Sequence, residues 1–312
     1  MKKPTFDPGL TQRYTGSIRR IIDRNGGFNV RRRGTTWHDI HPYLYMINTS
    51  WPRFLLDVLG GYLVMNLIFA IIYWEIGIEH LHGAEAPTAA GRFLNGFFFS
   101  AHTLTTVGYG SISPSGVIAN SVAAIEALLG LMTFALATGL LFGRFSRPAA
   151  RLGFSDKMLV APYQEAMSLQ FRVANRRSNN LMELEAKLLL ATVESANGQL
   201  IRKYVALNLE RPTVMFLPLS WTIVHPIDEA SPLYGKTASD LARLQAEFMV
   251  LVKAFDDTFY QILHTRYSYR HDELIWNAKF APAFSVDDDG DMVLEINRLG
   301  NYVELAEGAF TA

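Results

Sequence analysis

Two apolar stretches, Phe54 to Trp74 and Val117 to Phe145, constrain this chain more than any other feature of it. Each is long enough to cross hydrocarbon as a helix, which takes ~20 residues. The first carries Asp57 near one end and Asn66 in its middle; the second carries only Glu126 among ionisable groups before Arg144. Buried core helices of a soluble protein would be the competing reading, but stretches this long and charge-poor are unusual there. Trp51, Tyr73 and Trp74 stand at the ends, where an interfacial aromatic belt is expected. Nine Lys or Arg residues fall in the first fifty positions, and Arg92 stands alone between Glu75 and Asn120. The positive-inside rule therefore predicts a cytoplasmic N-terminus, an external segment around 76–115 and a cytoplasmic C-terminus, in a cell inner membrane.

Between the two stretches lies Thr105-Thr106-Val107-Gly108-Tyr109-Gly110. Its last five residues spell the Thr-Val-Gly-Tyr-Gly loop, itself the known example of a filter whose carbonyl oxygens replace the water around a potassium ion. The physical reason is general. Potassium needs several oxygens at once, and glycines allow successive carbonyls to face one side. Val107 and Tyr109 are then expected to face away from the ion, and the Thr106 hydroxyl to add an oxygen at the inner end. One chain supplies one such strand, so a ring of oxygens predicts a homotetramer. Arg92 to Leu104 reads as a half-helix too short to span, leading into the loop. Irregular backbone at membrane depth is tolerated only where protein buries it or it lines a water-filled cavity, which makes this a re-entrant segment. The C-terminal end of that helix carries partial negative charge, favouring a cation.

Ahead of the first span, Ile40, Tyr43, Leu44 and Ile47 recur at helical spacing, predicting an amphipathic interfacial helix over 37–47, against which Pro42 counts unless it sits in the first turn. An ordinary surface helix packed on the soluble half is the other reading.

From Arg151 the texture changes. Met182, Leu184, Ala186, Leu188 and Leu190 alternate with Glu183, Glu185 and Lys187, a half-buried strand. Further strands are predicted at 168–174, 200–209, 214–224, 248–252, 274–280 and 292–296, with turns at Asn197-Gly198, Pro218, Pro226, Pro232, Gly235 and Asp289-Gly290. Short strands with such punctuation predict a β-sandwich. One helix is predicted from Ser239, its cap, to Phe248. The expected fold is thus an α+β membrane protein: two transmembrane helices with a re-entrant pore helix and filter, plus a cytoplasmic immunoglobulin-like β-sandwich. The expected division is 1–36 as a cytoplasmic N-terminal segment, 37–148 as the pore and 149–312 as a regulatory domain.

Several classes are excluded. Lys plus Arg and Asp plus Glu both number 29, so bulk charge names no nucleic-acid partner, and no motif names a protein partner. Cysteine is absent, removing disulfides and cysteine metal sites. Met1-Lys2-Lys3 leads into no apolar run of a cleaved signal. There is no dinucleotide fingerprint, phosphate loop or arginine-repeat voltage sensor. Asp287-Asp288-Asp289-Gly290-Asp291 fails as a calcium loop because its twelfth position would lie outside the acids, at Ile296 or beyond; a type I′ hairpin turn is expected instead. His80 and His82 lack a third ligand. No nucleophile–base pair is evident, so an enzyme is not expected. A membrane-anchored scaffold with a vestigial loop is the rival to a channel.

Ser220 to Gly235, with Trp221, His225, Asp228, Ser231-Pro232 and Tyr234, resembles a signature of the inward-rectifier potassium channel family. Phe171-Arg172-Val173-Ala174-Asn175 and Asp272-Glu273-Leu274-Ile275-Trp276 resemble two more, and Trp51-Pro52 resembles its prokaryotic (KirBac) branch. The likeness runs from about Trp37 to Phe280. It implies that the carbonyls of Thr106, Val107, Gly108 and Tyr109, with Gly110 completing the loop, hold potassium ions. It implies an inner-helix hinge at Gly130, and pore-lining positions at Phe134, Thr138 and Phe142, the last forming a constriction that closes by dewetting; lipid or helix packing is the alternative for the phenylalanines. It implies a cytoplasmic constriction loop at Lys253, Ala254, Phe255, Asp256 and Asp257. Arg53, Arg144, Arg147 and Arg151 match positions for anionic lipid head groups, or are ordinary membrane-surface charges. Three departures stand out. Phe134 replaces the cavity acid or amide of strong rectifiers. His102 and Ile112 replace an acid–arginine pair that braces many animal filters. Pro148-Ala149-Ala150 replaces a lysine run. Glu126, inside the membrane, is expected to be protonated or bonded to groups behind the filter.

Overall fold

The computed structural model describes residues 8–13, 16, 20–31, 33, 34, 36, 41–146, 151–164, 166–196 and 198–305. Trp37 to Ile40, Arg147 and Pro148-Ala149-Ala150 lie outside the described residues. The chain forms two compact units, one around residues 33–147 and one that joins the N-terminal segment to the C-terminal half.

The first unit is helical. Helix α1 covers Pro42–Asn48, with its proline in the first turn, where a missing N–H costs nothing. Helix α2 covers Trp51–Ile76, again with proline at its start, and ends at Gly77, whose φ is 107°. Helix α3 covers Ala89–Leu104, its N-terminus capped by Thr88, which accepts from the Gly91 amide at 3.1 Å. Helix α4 runs unbroken over Gly116–Phe145. Both α2 and α4 are long and apolar enough to cross a membrane. A two-residue pairing of β1 (Leu81–His82) with β2 (Ser113–Pro114) ties together the two ends of the segment between them. Phe69, Tyr73, Leu81 and Phe99 form the small core that packs α3 against its neighbours.

The second unit is a sandwich. One five-stranded sheet has the order β11-β10-β6-β7, with β8 also on β6. Its strands are β6 (Leu181–Ala196), β7 (Gln199–Leu207), β8 (Thr213–Phe216), β10 (Glu247–Asp256) and β11 (Gln261–Arg270). The other has the order β12-β4-β5-β3, with β9 on β5, from β3 (Leu152–Phe154), β4 (Met158–Tyr163), β5 (Ala166–Asn175), β9 (Ser220–Ile227) and β12 (Leu274–Trp276). Alternate residues of each sheet meet in one core: Leu169, Phe171 and Val173 from β5, Leu184, Ala186 and Leu188 from β6, Phe248, Val250 and Val252 from β10. This is the period of two that a one-face-buried sheet requires. The N-terminal segment covers part of the opposite face. Ile22 packs on Ala191 and Met249. Ile21 N–H donates to the buried Glu247 carboxylate at 2.9 Å, and Arg20 and Arg24 both pair with Glu273. Burial raises the Glu247 carboxyl above the ordinary range, against the pull of those amides.

Four local expectations are corrected. The predicted 239–248 helix is α5, Ala238–Arg243, capped by Thr237 rather than Ser239 through a reciprocal Thr237–Asp240 box. Gln245 at φ 47° ends that region, and Phe248 belongs to a strand. The 214–224 strand is broken around Pro218 into β8 and β9. The 274–280 strand is broken by Asn277 at φ 54° into β12 and β13 (Ala278–Phe280), which pairs with β16 (Tyr302–Glu304). The Asp289-Gly290 turn does join a hairpin, β14 (Phe284–Val286) with β15 (Met292–Leu294), but Val286 faces Met292 across a five-residue loop, Asp287 to Asp291. Only Gly290 there has positive φ, so it is not type I′. The polar strand β11 was not foreseen.

Candidate ion filter and gate

The loop Thr105 to Gly110 is tied at both ends. At its start, the Val107 and Gly108 amides both donate to the His102 carbonyl, at 2.9 and 3.2 Å, so the strand folds back on the C-terminal end of α3. The Thr106 amide donates to Thr103 O at 3.0 Å, and the Thr105 hydroxyl donates to Ala101 O at 2.7 Å. At its far end the β1–β2 pairing and the Ser115 amide, 2.7 Å from His80 O, fix the return.

Between these ties, Thr106 (φ 58°), Gly108 (φ 54°) and Gly110 (φ 82°) adopt the left-handed region, while Val107 and Tyr109 do not. That alternation turns successive peptide units toward one side, which an ordinary strand does not do. A β-branched residue in this region is strained, at roughly 1–3 kcal/mol. Glycine chemistry explains positions 108 and 110 but gave no warning of Thr106. The backbone loop is exposed in the single chain, with Val107 at 52% and Tyr109 at 74%. The Tyr109 ring meets His102 edge-on at 4.8 Å, so His102 does touch the loop although it cannot form the acid–arginine brace.

Gly130 sits where α4 crosses the end of α3. A Cβ there would lie 2.0 Å from the Leu104 carbonyl oxygen. The helix is continuous through this position, so what the structure displays is a close approach to Leu104, two residues before Thr106. Phe134 and Phe142 are each 72% exposed, and Thr138, also exposed, donates its hydroxyl to Phe134 O at 2.9 Å. These three positions lie on α4.

The cytoplasmic constriction positions are not all in a loop. Lys253, Ala254, Phe255 and Asp256 end strand β10, paired to β11, and a bulge against β6 falls between Lys253 and Phe255. Ala254 and Asp256 are buried. Asp256 holds the turn, accepting from the amides of Thr258 and Phe259 and from Asn179 Nδ2 at 2.9 Å. Only Asp257 of the five lies in the turn itself, with Tyr260, at φ 52° and 83% exposure, as its last residue before β11. Sequence reasoning passed over Tyr260, because its unusual backbone depends on the turn around it.

Arg53 is exposed, 6.0 Å over the Tyr45 ring. Arg151 is exposed in the second unit. Arg147 is outside the described residues. Arg144 is engaged: its guanidinium donates to the carbonyls of Met46, Ile47 and Thr49 and lies 4.5 Å from the centres of both the Trp51 and Phe54 rings. It closes the C-terminal end of α1, whose carbonyls have no partner within the helix. Among the described residues no group of three histidine or acidic side chains is placed to hold a metal ion; His80 ends a short 3-10 turn and His82 lies in β1, not in a loop.

Comparison with known proteins bears on both halves. The description "Inward rectifier potassium channel C-terminal domain" matches residues 152–312, and "Ion channel" matches residues 61–147. The inward rectifier potassium channel Kirbac3.1 of Paramagnetospirillum magnetotacticum is 36% identical over 92% of this chain and 96% of its own length. The human G protein-activated inward rectifier potassium channel 3 is 28% identical over 91% of this chain and 78% of its own. The rabbit (Oryctolagus cuniculus) ATP-sensitive inward rectifier potassium channel 11 is 26% identical over 94% and 80%. With an exposed loop between two apolar helices in one unit, a β-sandwich in the other and matches over both, the chain belongs to the inward-rectifier potassium channel family, a class of ion channels rather than enzymes.

Proposed function

We propose that this chain is one subunit of a homotetrameric, potassium-selective pore in a cell inner membrane, with both termini cytoplasmic. The alternating left-handed backbone of Thr106, Gly108 and Gly110 carries the reading. In a ring of four, the carbonyls of Thr106, Val107, Gly108 and Tyr109 and the Thr106 hydroxyl replace the hydration shell of potassium, the permeant ion. Residues 37–148 form the pore, and 1–36 with 149–312 form its cytoplasmic part. Phe142 closes the inner end as an apolar constriction, Phe134 and Thr138 line the way to it, and the Lys253–Asp257 segment with Tyr260 narrows the cytoplasmic exit. Arg53, Arg147 and Arg151 meet anionic lipid head groups. Arg144 anchors α1 to α4 instead, so lipid contact near α1 reaches the inner helix through it.

The test is flux from liposomes of defined lipid composition, with and without acidic phospholipid. The reading predicts potassium flux well above sodium flux, blocked by barium, which imitates potassium in a carbonyl site. Equal passage of both ions contradicts it.

A further inference from the structure

Behind the filter, three helices meet at one carboxyl group. Glu126 of α4, Ser100 of α3 and Asn66 of α2 are each 0% exposed, and Tyr73 of α2 is 1% exposed. The Tyr73 hydroxyl donates to Glu126 Oε2 at 2.7 Å. The Ser100 Oγ lies 2.5 Å from Glu126 Oε1 and 3.1 Å from Asn66 Oδ1. The Asn66 Nδ2 donates to Tyr62 O at 2.7 Å, which fixes its amide so that Oδ1 faces the serine.

A count of protons decides what this cluster is. A serine hydroxyl has one proton and cannot donate to both of its neighbours. If both Glu126 oxygens were acceptors only, Ser100 would leave either the carboxylate or the Asn66 carbonyl without a donor, at full burial, where an unmet polar group is costly. No ion pair reaches Glu126 among the described residues, so no cation offsets a charge there. One proton on Oε1 completes the chain. Tyr73 donates to Oε2, Oε1–H donates to Ser100, Ser100 donates to Asn66, and Asn66 donates to Tyr62. Each oxygen in the chain then meets one donor.

We propose that Glu126 is held as a neutral carboxylic acid and is a positioning residue of the filter, relaying one directional hydrogen-bond chain from α2 through α4 to the pore helix α3 and back to α2. The proposal rests on the filter reading above. Ser100 stands one turn before Leu104, the residue whose carbonyl abuts Gly130 and which leads into Thr105 and Thr106. The chain therefore sets the depth at which α3 presents the loop. Tyr73 and Phe99, edge to face at 5.1 Å, pack beside it and exclude water.

One substitution and one spectrum together distinguish a neutral acid from an anion. Glutamine carries a carbonyl that accepts from Tyr73 and an NH2 that donates to Ser100, so Glu126→Gln reproduces the whole chain of a neutral acid, while it removes the carboxyl whose protonation the infrared band reads. The experiment compares potassium and sodium flux in liposomes for wild type, Glu126→Gln, Glu126→Leu and Ser100→Ala, together with the infrared difference spectrum of wild type minus Glu126→Gln. The expected result is a wild-type flux ratio for Glu126→Gln, and a ratio about fivefold lower or worse for Glu126→Leu and Ser100→Ala, the low end of what one unmet buried donor costs. The difference spectrum is expected to carry the C=O band of a protonated carboxyl. Glu126→Gln failing as Glu126→Leu does, or an absent band, overturns the neutral acid. Wild-type selectivity in Glu126→Leu and Ser100→Ala overturns the positioning role; if the leucine variant does not assemble, Ser100→Ala and the band decide. Loss of selectivity in wild type itself strikes the filter reading instead.

Discussion

The sandwich strands and the inner helix α4 treat their phenylalanines in opposite ways. Phe171 and Phe248 of the sandwich are fully buried, locked between two sheets of the same chain. Phe134 and Phe142 of α4 are 72% exposed, and Leu55 and Leu56 of α2 are 56% and 66% exposed. The sandwich completes its own core; the pore half does not. A helix that is apolar all round is finished by lipid or by other helices, and a filter strand with its backbone open to one side is finished by further strands. The difference teaches where each half draws its stability: one from its own side chains, the other, on the function proposed above, from copies of itself and the bilayer.

The comparison breaks most visibly at the filter. Gly108→Asp puts a charged side chain on a residue at φ 54° in the open loop; potassium flux is expected to fall to background while the unfolding midpoint of the sandwich, followed by circular dichroism on the full chain, stays unchanged. A joint loss of both would mean the halves are not independent. Next in size, Phe248→Ala should cost the sandwich about 3–5 kcal/mol in denaturant unfolding, whereas Phe142→Ala should shift that same transition by less than about 0.5 kcal/mol and raise resting flux. Gly130→Ala should cost the pore half about 1–3 kcal/mol through overpacking against the Leu104 carbonyl, read as lower tetramer heat stability together with lower potassium selectivity. A pure hinge would lose gating and keep selectivity.

The smallest effect concerns pH. His225 is buried, with Nδ1 2.6 Å from Asn208 O and Nε2 2.8 Å from Ser231 Oγ. The Nδ1–H form serves both, and burial lowers the imidazole below its ordinary value. A lowered value means that the folded domain binds this proton less readily than the unfolded chain does. Its stabilisation is therefore full above the unfolded value of about 6.5 and is lost as pH falls from there through the folded value. Sandwich stability should decline over that window in wild type, and less steeply in His225→Gln. An equal slope in both would show that other groups carry the effect.

Local features were legible in the sequence and tertiary ones were not. The spans, the half-helix and the filter each depend on a run of neighbouring residues. So does the alternation of β6, where Leu184, Ala186 and Leu188 face the core. The left-handed Thr106 depends on amides bound back to His102, a contact across a turn. The end of α5 depends on Gln245, and the break between β12 and β13 on Asn277, polar residues whose positive φ has no composition signal. Strand β11 carries Gln261, His264, Thr265, Arg266 and Ser268 and reads as a loop until β10 is laid beside it. Arg144 read as a lipid contact from its place after a span, and only the folded chain brings it to the carbonyls of Met46, Ile47 and Thr49. Glu126 was recognised as anomalous from its position, but its partners lie 26 and 53 residues away.

The central claim is that identical chains complete one filter around a shared axis. Native mass spectrometry of the protein in lipid nanodiscs, followed by imaging of the same particles in potassium, tests it directly. Four copies with ion density along the four-fold axis at Thr106 to Tyr109 is the predicted result. A particle of one or two copies, or an axis without ions, would contradict the account.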